Sequence, residues 1–445
     1  MLSQGLKRRD LPRSTFDRQL CQAALNRSFF GPKLDNWTLP NGTRCVAAAM
    51  PDAPLTCLDF WCQAGSSSEQ PGEEGIAHFL EHMVFKGSHR LAAGAFDEAI
   101  EALGGSSNAA TGFDDVHFHV LIPPDRAAEA LDLLLELVLQ PALDPQGFST
   151  ERDVVLEEIA QYADQPTEQV LQSILSLGCG DHAYGRPILG KVATLNAMEP
   201  SLMRRFHQRR YLGPNCTLAL AGPAPETLKP TIAASALADL PGDRNEPSSH
   251  QSLPLMLHAG RHTQRVDRLE SARILMLWTT APAHNQEAVM GADLATTLLG
   301  EGRRSRLVER LREELQLVES ISMDLTALEE GSLITLEVIC PEDALSAVEQ
   351  EINAVLHQVA DEAVSEQELR RGYQLVSNSL RYSLESVGHV TGLCASHVLW
   401  HRNQDLLSPL NHLNQWSAER LQTELFPVLL PEKACVLIAR PGANQ

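Results

Sequence analysis

Alternation of apolar and polar positions divides much of the chain into short elements. Residues 43–46 and 57–63 read as strands, the second alternating and β-prone before the turn at Gly65-Ser-Ser-Ser. Short helices are expected over 75–85 and over 96–103, the latter stopped by Gly104-Gly105. Residues 116–122 form a strand with His117 and His119 on one face and Phe118 and Val120 on the other. Residues 127–138 and 151–162 carry apolar stripes at the helical period. In the second of these helices, Val154, Val155, Ile159 and Tyr162 fall on one stripe, which is therefore expected to be buried.

The same order recurs later. Sliding the chain against itself by 218 residues lays 118–130 over 336–348, with Pro123 on Pro341. In both copies a strand ends at proline, a long amphipathic helix follows, and a second helix starts near Ser149 or Ser365. A polar, proline-bounded segment, 242–254, lies between the copies. Mixed helices and hairpin-like strands in each half indicate an α+β protein of two homologous halves. The expected division is an N-terminal extension over 1–30, a first domain over 31–241, a linker over 242–254 and a second domain over 255–445.

Composition narrows the classes. A chain of 445 residues, 43% hydrophobic and 21% charged, is ordinary for a soluble globular protein and argues against disorder, collagen or coiled coil. No run approaches the ~18–20 apolar residues of a membrane helix, so no membrane span is expected. The basic segment before residue 30 has no apolar stretch behind it and does not read as a secretory signal. A net charge of −21 repels phosphates, so nucleic acid is not an expected partner. Nine scattered cysteines, never in C-x-x-C spacing, read as reduced thiols in the cytoplasm.

The chemistry concentrates in Gly75-Ile-Ala-His78-Phe-Leu-Glu81-His82-Met-Val-Phe-Lys86-Gly87. On a helix His82 lies ~40° from His78, and Glu81 ~60° to the other side. Two imidazoles one turn apart can reach one ion, and Glu81 is placed to act as a base on water at that ion. This is the inverted H-x-x-E-H arrangement. The competing reading is a pair of surface or capping histidines on an amphipathic helix. On the helix over 151–162, Glu151 and Glu158 lie within ~20° of the apolar stripe, whereas Glu157 points ~100° away toward solvent. A carboxylate on a buried stripe needs a partner or a metal, so Glu158 is expected as the third ligand. Glu151 is expected to accept a hydrogen bond that orients an imidazole. Two imidazoles and a carboxylate suit Zn2+ with a fourth position left open. His117 and His119 show no third residue placed with them and read as core or surface histidines.

The run His78-Phe-Leu-Glu-His-Met-Val-Phe-Lys-Gly-Ser resembles the signature of the insulinase/pitrilysin inverzincin metallopeptidases, and Glu158 matches the spacing of their third ligand. Further matches are Trp61 with Ala64-Gly65-Ser66, Asn108-Ala-Ala-Thr111, Glu151-Arg152, His182-Ala-Tyr-Gly-Arg-Pro-Ile-Leu-Gly190 and Gly302-Arg-Arg-Ser-Arg-Leu307. The resemblance implies two homologous α/β-sandwich halves of the LuxS/processing-peptidase-like type. It also implies zinc held by His78, His82 and Glu158, with Glu81 as general base of a metalloendopeptidase acting on peptides or unfolded segments. The length is similar to that of half-size members, which pair as homodimers or as heterodimers with a related subunit. Asn108 and Ala109 then lie on the segment that meets substrate, and Arg312 matches a family substrate contact. Glu319 stands where many members have a tyrosine. That substitution raises an alternative: a non-catalytic or partner-dependent subunit of a processing-peptidase-like heterodimer. At the 218-residue offset, His78, Glu81, His82 and Glu158 fall on Thr296, Leu299, Gly300 and Val376, so the second copy carries neither ligands nor base.

Overall fold

The computed structural model describes residues 31–224, 227–242, 254–402 and 404–442. The 1–30 extension and most of the expected linker lie outside them. Among the described residues, eleven strands form two sheets. The first contains β1 (Lys33–Thr38), β2 (Arg44–Ala49), β3 (Thr56–Cys62), β4 (Ser106–Thr111), β5 (Val116–Ile122) and β6 (Cys216–Gly222), in the order β1-β2-β6-β3-β5-β4. The second contains β7 (Gly260–Val266), β8 (Ala272–Thr280), β9 (Ser320–Thr326), β10 (Ser332–Cys340) and β11 (Cys435–Pro441), in the order β7-β11-β8-β10-β9. Removing β1 makes the two orders equivalent. Each sheet has one parallel pair, β2–β6 or β7–β11, and is otherwise antiparallel. The repeat seen in the sequence is thus a repeat of topology, and β5 and β10 are the strands that end at Pro123 and Pro341.

Strand alternation fixes which face of the first sheet is core. Leu58, Phe60 and Cys62 of β3 and Val116, Phe118 and Val120 of β5 face helices α1 (Ile76–Val84), α2 (Ala95–Ala102), α3 (Ala127–Leu139) and α4 (Pro145–Asp164). The corresponding helices of the second half are α6 (Gln286–Gly300), α7 (Leu345–Asp361) and α8 (Glu366–Ser383), the last opened by a capping box between Ser365 and Glu368.

The opposite face of each sheet is covered by a helix from the other half. Val170 and Ile174 of α5 (Pro166–Cys179) pack on Leu275, Leu277 and Leu437 of the second sheet. Val390, Cys394 and Val398 of α9 (Val387–Leu399) pack on Val46, Ala48, Ala219 and Ala221 of the first. Neither sheet could bury both faces with its own half, so the exchange ties the halves through apolar burial. The eight described cysteines are all buried and free. No described helix is long and apolar enough to cross a membrane.

Two half-buried histidines contribute to the pH dependence of the fold. His207 bonds the Val138 carbonyl at 3.0 Å, and burial lowers it to about 4. His397 is likewise lowered to about 4, by burial and then by Arg402. Unfolded, both take up protons near 6.5, so the unfolded chain binds more protons between 6.5 and 4. The two histidines therefore contribute stability that is lost as pH drops through that window, whereas Glu69, raised by burial to about 8, and Asp115 and Asp293, each raised by burial to about 6, contribute in the opposite sense. Urea midpoints of metal-free protein at pH 7 and pH 5 test this: the change on going to pH 5 is expected to be less destabilising in His397→Gln than in the native chain, and an identical change in both would contradict it.

Candidate metal centre

Helix α1 is set by its N-terminus. Gly75 sits at φ +93°, and a Cβ there would come within 2.7 Å of the Leu189 carbonyl and 2.8 Å of Gly190. The carboxylate of Glu69, 2% exposed, accepts from the backbone N–H groups of Gly75 and Ala77 at 3.1 Å. These bonds satisfy donors that a helix start leaves unpaired. Ile76, Phe79, Leu80 and Met83 bury one face of α1 in the core, which orients His78, Glu81 and His82 together.

The site residues come together across two helices. The rings of His78 and His82 lie 4.7 Å apart. Glu158 Oε2 of α4 is 3.7 Å from His78 Nε2 and 3.4 Å from His82 Nε2. Ligands on a tetrahedral zinc with ~2.0–2.1 Å bonds stand about 3.4 Å apart. The three donors therefore fit a zinc ion. His78 is lowered to about 4 by burial and then by His82, so its imidazole is neutral at pH 7 and has a lone pair to offer.

Glu151 lies 2.9 Å from His82 Nδ1 through Oε1, and Lys86 Nζ pairs with its Oε2 at 2.7 Å. An Nδ1–H donated to Glu151 leaves the His82 Nε2 lone pair facing Glu158. Glu151→Ala is expected to weaken zinc binding about 10–100-fold. Competition with a chromophoric chelator measures this, and an unchanged affinity would remove Glu151 from the site.

Glu81 faces the same space without belonging to the donor trio. Burial raises its pKa, and the repulsion of Glu158 adds to this. The Thr111 hydrogen bond and the charges of His82 and His117 oppose the rise without cancelling it. The Thr111 hydroxyl, at the end of β4, donates to Glu81 Oε2. Thr111, Lys86 and Glu69 carry no expected role in the sequence reading, although the first two lie inside the quoted motifs.

Other expectations fare differently. The buried face of α4 is Phe148, Glu151 and Val155, whereas Val154 and Tyr162 are 46% and 43% exposed. The expected stripe was set by apolarity alone and sits partly off the packed face, because α4 buries a carboxylate toward α1. Glu157 is exposed, as expected. Asn108 and Ala109 lie within β4, an edge strand of the first sheet. Arg312 lies in a helical turn, Val308–Glu314, paired with Glu313 at 2.9 Å. Among the described residues it makes no hydrogen bond or ion pair with the His78 cluster. Glu319 accepts from the Ser271 hydroxyl at 2.8 Å.

His117 and His119 do have a third residue with them: Asp59 of β3, which sequence distance concealed. The His182–Gly190 loop also gains a place in the structure. His182 Nε2 pairs with Glu330 of the second half at 2.9 Å, Tyr184 donates to Asp114 at 2.7 Å, and Gly190 packs on Gly75. The start of α1 is thereby linked to the second sheet.

Comparison with known proteins gives the family and the fold. Residues 44–192 match the insulinase family (peptidase family M16), and residues 198–375 match the peptidase M16 inactive domain. An uncharacterized zinc protease of Streptomyces coelicolor is 27% identical, with 79% of this chain and 77% of that protein covered. Another, from Bacillus subtilis, is 24% identical over 92% of this chain and 99% of its own length. Among solved structures, a protease from Helicobacter pylori superposes with a TM-score of 0.84 at 21% identity, covering 92% of this chain and all of that one. A peptidase M16 inactive domain from Pseudomonas fluorescens gives 0.81 at 17% identity, covering 93% of this chain and 99% of that one.

Proposed function

The chain belongs to the insulinase (M16) family of zinc peptidases, and from that premise we propose that it is an endopeptidase cutting peptides or unfolded segments. In this reading His78, His82 and Glu158 hold the zinc, and Glu81 is the general base. The observation that carries it is the convergence of two imidazoles and a carboxylate at zinc-like separations, with a second carboxyl group, Glu81, beside them. When bound, zinc acidifies water and polarises a carbonyl.

Glu81 takes the proton of the attacking water and delivers it to the departing amine, a transfer its raised pKa favours. The Thr111 hydroxyl holds one oxygen of Glu81 and leaves the other free for the proton. Edge strand β4 ends at Thr111, so an extended peptide added to its open edge would run past the site. Asn108 and Ala109 are assigned to that contact.

The purified full chain is expected to cleave an internally quenched peptide. A chelator should stop cleavage, and stoichiometric zinc should restore it. Absence of turnover in zinc-loaded chain alone, with activity appearing on addition of a related subunit, would favour the partner-dependent reading that Glu319 raises. An ionised carboxylate there cannot donate the hydrogen bond a phenol would.

A further inference from the structure

Asp59, His117 and His119 form a second donor set on the other face of the first sheet. In the antiparallel pair β3–β5, Asp59 stands opposite His119 and Trp61 opposite His117. The alternation that sends Phe60 and Phe118 into the core brings these polar groups to the side where α9 packs. Asp59 is 3% exposed, and the one hydrogen bond it makes among the described residues is with His117 Nδ1, at 3.1 Å. This buried carboxylate is therefore held by one imidazole, in an ion pair.

The His117 ring is braced by Trp61 at 4.6 Å and lies nearly parallel to His119 at 5.6 Å. His119 is half-buried and makes no hydrogen bond among the described residues, so its lone pair is uncommitted. One donor atom from each of the three lies within 4.8 Å of the others, the same criterion met by His78, His82 and Glu158.

We propose that Asp59, His117 and His119 hold a second divalent transition-metal ion of the zinc type, sharing no ligand with the first site. The proposal goes beyond the peptidase reading and does not depend on it. Two imidazoles and one carboxylate suit this class of ion, and the 3.1 Å N···O separation is near the ~3.4 Å edge of a tetrahedral zinc site. The ion would take the place of the proton that His117 and Asp59 share.

The test counts metal on full-length protein stripped with chelator and dialysed against zinc. Two ions per chain are expected in the native sequence, one in His119→Ala, one in His78→Ala and none in the combined variant. A native count of one that His119→Ala leaves unchanged would overturn the second site and leave the first standing. Should His78→Ala keep both ions, the first site would be the one in error. Because His119→Ala could disturb the sheet, the isosteric Asp59→Asn is compared by cobalt titration in the His78→Ala background. Visible absorption saturating at one equivalent, and lost with Asp59→Asn, is the expected result. No absorption in the parent would overturn the proposal.

Discussion

Glu81→Gln is expected to keep its zinc and lose about 10²–10⁴-fold in kcat, the usual contribution of a positioned acid–base group. Glutamine has the shape of glutamate and can still accept from Thr111, so the packing around α1 changes little. The amide cannot take a proton at neutral pH. The donor trio His78, His82 and Glu158 does not include residue 81, so metal content should match the native protein. Steady-state cleavage of a quenched peptide, with zinc measured on the same sample, reads both quantities. Undiminished kcat in the zinc-replete variant would remove Glu81 from the chemistry.

His82→Ala should weaken zinc binding at that site roughly 10²-fold, and hydrolysis should fall with it. His82 is the best anchored of the three donors, held by Glu151 on one nitrogen and 3.4 Å from Glu158 on the other. If a bound zinc contributes on the order of 10 kcal/mol through three protein donors, losing one costs ~3 kcal/mol, or roughly 10²-fold in affinity. The lost imidazole also leaves Glu151, 4% exposed, with Lys86 as its remaining partner. Zinc should raise the melting temperature of the native chain more than that of the variant. Equal zinc stabilisation of both proteins would count against His82 as a ligand.

The two changes separate roles that the site's compactness could confuse. One removes a proton acceptor from an intact metal centre, and the other weakens the centre itself. Glu151→Ala lies between them, because it touches the ion only through His82.

Much of this was legible along the chain because the relevant physics is local. His78, Glu81 and His82 share one helical turn, so the 3.6-residue period alone brings them onto one face. Alternation over 116–122 marked β5 and its two faces, and the repeat of strand, proline and helix marked two halves of like topology. The acidic residues of α4 could be ranked by helical phase, which separated Glu158 from Glu157.

Contacts that join distant segments were decided by the tertiary structure. Periodicity says which residues share a face but not what packs against it, so Val154 and Tyr162 read as core and are exposed. The exchange of α5 and α9 between the sheets follows from which faces remain apolar once both halves have folded. Asp59 meets His117 and His119 only because β3 pairs with β5 in one register, and a shift by one residue would turn it to the other face. The sequence thus determined the elements and the helix-borne part of the site. Strand register and helix packing, which depend on residues far apart in the chain, determined the rest.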